Sequence, residues 1–326
     1  MPFRRAAVAA LAVLAVAGCG TGTEEPAAQP TGDEPIPVVA STNVYGAVVE
    51  AVGGDRVSVE SLIDDPGADP HSYESTPADA AAVADARILV ANGGGYDDFL
   101  TQLAETSGGD ATVIEVADVS GLVPEEEHAE EHAHDHGAGE HAHEHGAFNE
   151  HFWYSLPTMQ ALATRLATDL GTADPAGAAE FTANAEAFNG RVAELLTRAE
   201  AIGAAHAGAR VAVTEPVPGY LIETAGLTDV TPPAFTEAIE EDTDPPVAVI
   251  QETLALFEGD PVRALVVNAQ TRTPTTEQVR EAAQTAGVPI VEMSETLPEG
   301  ATDYVSWMGG QIDALADALN ETPNGS

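Results

Sequence analysis

Histidines and carboxylates are the side chains of this 326-residue chain with chemistry to offer. There are 10 of the former and 54 of the latter, against 11 basic residues that are all arginine. Seven of the histidines, His128, His132, His134, His136, His141, His143 and His145, crowd into residues 125–145, EEEHAEEHAHDHGAGEHAHEH. Neutral imidazole is the commonest ligand for borderline cations such as Zn²⁺, Ni²⁺ and Cu²⁺. The segment has no branched apolar residue, so it cannot pack and reads as a loop that binds metal loosely and in several stoichiometries. Three histidines stand apart: His71 in GADPHSYESTP, His151 in NEHFW, and His206 among Ala and Gly, which reads as a surface residue. The only cysteine is Cys19, so an intramolecular disulfide and every Cys-based zinc or iron–sulfur site are excluded. A net charge of −43 excludes nucleic acid as a partner and leaves a cation open. There is no HExxH helix and no nucleophile elbow, so the motifs of a hydrolytic enzyme are missing.

The elements that must position His71 and His151 follow from hydrophobic periodicity. Strands are expected at Val38–Ser41, Val57–Val59, Ile88–Val90 and Thr112–Val116, alternating with helices through Val44–Val52, Pro77–Ala86 and Tyr96–Glu105. The third strand runs into a turn at Asn92-Gly93-Gly94-Gly95. Helices at 157–170 and 175–202 come next. In the second, Phe181, Ala185, Phe188, Val192, Leu195, Ala199 and Ile202 form one apolar stripe. Alternation resumes with strands at 211–213, 265–267 and 289–291 and helices around 220–225, 247–257, 276–286 and 304–319. The expected fold class is α/β: two lobes, 36–156 and 205–322, each a parallel sheet flanked by helices. The helices of 157–204, one of them long, bridge the lobes. His71 and His151 fall at lobe edges facing the cleft, where strand carboxyl ends converge.

Arg4-Arg5 followed by the apolar run 6–17 reads as a secretory signal, too short to span a bilayer. Val16-Ala17-Gly18-Cys19 resembles a bacterial lipobox, which implies cleavage after residue 18 and acylation of Cys19. Residues 19–35 then form a flexible tether holding the protein at the extracytoplasmic face of the cell membrane.

The run Gly67-Ala68-Asp69-Pro70-His71-Ser72-Tyr73-Glu74 with Thr76-Pro77 resembles the first-ligand signature of the metal-binding (zinc/manganese) solute-binding lipoproteins of ABC importers. Asn92-Gly93, the His-rich loop and His151-Phe152-Trp153 extend the likeness over nearly the whole mature chain. The resemblance implies two lobes joined by one stiff helix and a monomer that passes its ion to an ABC permease and ATPase. It also implies a site of His71, His151, Glu215 and Glu295. Glu215 precedes Tyr220 and Gly226-Leu227 at the family's spacing. Glu295 precedes Tyr304 and Trp307, with Asp303 and Glu292 as alternatives for the fourth ligand. Zinc-type members more often present three histidines and one carboxylate. Two carboxylates suit Mn²⁺ or Fe²⁺ better, whereas the His-rich loop points to Zn²⁺, which also outranks Mn²⁺ in intrinsic affinity. Zinc is the expected cargo, with manganese or iron as the alternative. A surface metal-sequestering protein or adhesin without a transport role is a further alternative.

Overall fold

A computed structural model describes residues 34–65, 73–124 and 148–321, and from Pro35 onward the chain forms one compact unit. The first sheet contains β1 (Ile36–Thr42), β2 (Val57–Ile63), β3 (Ile88–Ala91) and β4 (Thr112–Glu115), all parallel, in the order β2-β1-β3-β4. All four residues of β3 are buried, as a central strand covered on both faces requires. Helices α1 (Asn43–Gly53), α2 (Pro77–Asp85), α3 (Asp98–Ser107) and α4 (Val116–Ser120) connect and cover these strands. Thr76 starts α2 with a capping box: its hydroxyl accepts from the Asp79 amide, and the Asp79 carboxylate accepts from the Thr76 amide.

After a short 3-10 turn at Phe152–Tyr154 come α5 (Leu156–Ala173) and α6 (Ala178–Ala205). Helix α6 has 28 residues, about 42 Å of rise. The seven-residue apolar stripe read from the sequence is buried along its whole length. It packs on α1 and α5, and its core is continuous with residues of both sheets.

The second sheet repeats the first. Strands β5 (Arg210–Val213), β6 (Thr228–Asp229), β7 (Ala264–Asn268) and β8 (Ile290–Met293) are parallel in the order β6-β5-β7-β8. Around them lie α7 (Gly219–Thr224), α8 (Pro233–Glu240), α9 (Val247–Ala255), α10 (Pro274–Ala286) and α11 (Tyr304–Asn320). In each sheet the chain leaves the first-formed strand in both directions. That creates a crevice at the carboxyl ends, where ligands bind in open α/β sheets.

Some details differ from the sequence reading, among them helix α4, which begins at Val116 where a strand was expected to end. Strand β6 is two residues long, too short for periodicity to register. Helix α8 was not anticipated, although Pro233 in its first turn and the buried pair Phe235 and Ile239 are its signature. Helix α3 begins at Asp98, not Tyr96, because three consecutive glycines with φ of 72°, 66° and 91° hold the chain in a turn. Only glycine adopts such left-handed φ without strain, and the turn sets Tyr96 free of the helix.

Among the described residues no helix is long and apolar enough to cross a membrane. Cys19, the signal and tether, and the His-rich loop with its seven histidines lie outside the described residues.

Candidate metal centre

His151 lies in the segment entering α5 and is fully buried. Its ring is fixed from one side. Nδ1 lies 2.7 Å from Asn149 Oδ1, which also accepts the His151 amide at 3.0 Å. The Asn149 amide cannot flip, because its Nδ2 donates to Pro216 O at 2.8 Å. The backbone carbonyl of Asn149 accepts from Tyr220 at 2.6 Å. Asn149 Oδ1 can only accept, so Nδ1 carries the proton and Nε2 is the nitrogen presented to the interior. A histidine oriented by a hydrogen bond on its far nitrogen is the arrangement metal ligands adopt.

Around Nε2 the walls are carboxylates. Glu240 Oε1 lies 3.1 Å away and Glu295 Oε2 3.9 Å. Glu150, His151 and Glu240 each offer a ligand atom, and these three atoms lie within 4.8 Å of one another. Glu215 and Glu295 each follow the end of a strand of the second sheet by two residues, β5 and β8 respectively. Asn268, the last residue of β7, ties them together: its Nδ2 donates to Glu215 Oε2 at 2.6 Å and to Glu295 Oε1 at 2.8 Å. Tyr96, delivered by the glycine turn of the first sheet, donates to Glu295 Oε2 at 3.0 Å. Glu215 Oε1 is buried and accepts no hydrogen bond from any described residue.

Electrostatics follow from this crowding. Burial, then the charge of Glu240, pushes the Glu215 carboxyl up to about 8, against the opposing hydrogen bond from Asn268. Burial alone would lower the His151 pKa. The charges of Glu240, Glu295 and Glu150 outweigh it and raise the imidazole above its ordinary value. Both shifts express the same condition: buried negative charge facing one imidazole, compensated by a proton or by a cation.

Of the residues expected from the sequence, His151, Glu215 and Glu295 converge here, whereas His71 lies outside the described residues. The alternatives for the fourth ligand are engaged elsewhere. Asp303 caps α11 by accepting from the Ser306 amide at 2.9 Å and also pairs with Arg191. Glu292 pairs with Arg280 at the surface at 2.5 Å. His206, just past α6, meets Asn320 at 3.2 Å, far along the chain from this centre. Glu240 and Glu150 were not anticipated. Glu150 is adjacent to His151 in sequence, and Glu240 closes the overlooked helix α8.

Known proteins resemble about half of this chain in sequence and most of it in fold. It is 32% identical over 178 residues to the manganese-binding lipoprotein MntA of Halalkalibacterium halodurans, covering 54% of this chain and 51% of that one. It is 30% identical over 183 residues to the high-affinity zinc uptake system protein ZnuA of Brucella abortus, covering 48% of this chain and 53% of that one. The chain thus spans about half the length of the curated relatives it matches. The fold is shared with the solute-binding protein FpvC of Pseudomonas aeruginosa, solved with Ni²⁺, at a TM-score of 0.69 and 22% identity over 90% of this chain and 99% of that one. The family model described as zinc-uptake complex component A, periplasmic (ZnuA) matches residues 38–318, and the chain belongs to that family.

Proposed function

We propose that this protein is the extracytoplasmic receptor of an ABC importer for a divalent transition metal. It captures the ion between its lobes and hands it to a membrane permease driven by an ATPase. One observation carries the reading: His151 Nε2 faces the buried carboxylates of Glu240 and Glu295, with Asn149 fixing the ring. His71, His151, Glu215 and Glu295 are the proposed ligands. Zinc is the first candidate cargo and manganese the second, in line with the names of the relatives, one a zinc uptake protein and one a manganese-binding lipoprotein. A site enclosed by protein ligands keeps no open position for a reacting water, which suits carriage and not catalysis. Acylation at Cys19 would hold the receptor beside its permease, and the seven histidines of 125–145 would be a loose auxiliary store.

Equilibrium dialysis against buffered Zn²⁺ and Mn²⁺ tests this. The full chain should hold one ion tightly, and so should a variant lacking residues 125–145. His151→Ala should lose that ion. Loss of all tight binding on removal of the loop alone would show that the chain is a loop-based buffer.

A further inference from the structure

Glu240 is the carboxylate nearest the presented nitrogen of His151. Its side chain is 7% exposed, it closes α8, and its Oε1 lies 3.1 Å from Nε2. At that separation both atoms can reach one cation, and Glu150, His151 and Glu240 offer ligand atoms that lie within 4.8 Å of one another. The second sheet already contributes Glu215 and Glu295, joined through Asn268, and Glu215 Oε1 is buried with no hydrogen-bond partner among the described residues. That oxygen is an independent sign that the pocket is built around a cation. Building on the receptor reading above, we infer that Glu240 is an additional metal ligand that brings a third carboxylate to the site and biases it toward a hard ion, Mn²⁺ or Fe²⁺, relative to Zn²⁺.

The chemistry sets the direction. Among the described residues the donors are one imidazole, that of His151, and three carboxylates, those of Glu215, Glu240 and Glu295. Zn²⁺ takes imidazole nitrogen readily and gains little from a further carboxylate oxygen. Mn²⁺ favours carboxylate oxygen, so it gains more. Glu240 sits on a helix and not in a loop, so its placement relative to His151 is set by packing of Phe235 and Ile239 in the second lobe's core.

The test measures dissociation constants for Mn²⁺ and for Zn²⁺ by metal-buffered dialysis on the full chain, at free-ion levels a loose loop does not fill. Glu240→Ala and the isosteric Glu240→Gln are compared with Glu241→Gln, which removes an equal charge from the exposed neighbouring residue. Circular dichroism monitors folding, and Glu240→Gln decides the matter if the alanine variant unfolds. We expect Glu240→Gln to weaken Mn²⁺ at least tenfold and Zn²⁺ by threefold or less, and Glu241→Gln to change neither. Equal losses for both ions, no loss, or a greater loss for Zn²⁺ would overturn the inference while leaving the receptor reading intact. Absence of tight binding by the unaltered chain would instead overturn the receptor reading itself.

Discussion

Asn149 determines which nitrogen of His151 faces the pocket. Its side chain accepts from Nδ1 while being pinned through Pro216. Outer-shell partners of this kind are worth about 10–100-fold in metal affinity. Asn149→Ala should therefore weaken binding by that factor while the melting midpoint moves little, which dialysis and a thermal scan on the same sample distinguish. Trp153 supplies an optical readout. Its ring is fully buried, 5.1 Å from the His151 ring and 4.9 Å from Tyr96, at the centre of an aromatic cluster. An ion binding at Nε2 changes the field on that indole, so tryptophan emission should change on metal addition and the change should shrink strongly in Trp153→Phe. A full signal in that variant would assign the response to Trp307.

At the scale of the element, the turn after β3 carries a buried acid as well as Tyr96. The Asp97 carboxylate accepts from the Asn92 amide at 2.6 Å and the Gly93 amide at 2.9 Å, which shapes the glycine turn. Burial nevertheless pushes its pKa up to about 6, outweighing those hydrogen bonds. The folded protein then holds a proton that the unfolded chain releases near the ordinary aspartate value, so stability falls as pH rises from about 4 to about 6. The size of the shift corresponds to at most about 3 kcal/mol. Asp97→Asn should remove this slope. Urea midpoints of the two proteins, measured from pH 4 to 7, should converge or cross in that window, and parallel curves would refute the assignment. The mismatch at α3 has the same origin. Periodicity extended that helix back to Tyr96, but three glycines at positive φ and the Asp97 hydrogen bonds end the helix earlier and turn Tyr96 toward Glu295.

For the molecule as a whole, α6 is the member on which both lobes depend. Phe188 on its buried stripe is 3% exposed and packs against Tyr304 of α11, with ring centroids 5.9 Å apart. Phe188→Ala should cost about 3–5 kcal/mol, read as a lower urea midpoint, and one cooperative transition should persist because the core is continuous through both sheets. Contacts between the lobes close to the candidate metal centre are polar and specific. Asn43 at the start of α1 both donates to and accepts from the backbone of Leu297, at 3.2 and 2.9 Å. Tyr154 donates to Ser294 at 2.8 Å. The loop bearing Glu295 is thus held by the first lobe, and the two halves of the site are brought into register by hydrogen bonds and not by apolar burial alone.

The sequence by itself determined the α/β class, the long bridging helix and the strands whose ends form the crevice, since each rests on local periodicity that burial then enforces. His151 stood out only as one of three histidines outside the His-rich run, and it became a ligand candidate, with Glu215 and Glu295, through family resemblance. Only the tertiary structure decided that Asn149 orients the imidazole, that Asn268 joins two carboxylates 80 residues apart, and that Asp303 and Glu292 serve other elements. Glu240 belongs to this second group. In a chain with 54 acidic residues, nothing local separates one glutamate from another. What does separate them is distance in space, which arises only when the end of α8 and the segment before α5, about 90 residues apart, are packed against each other.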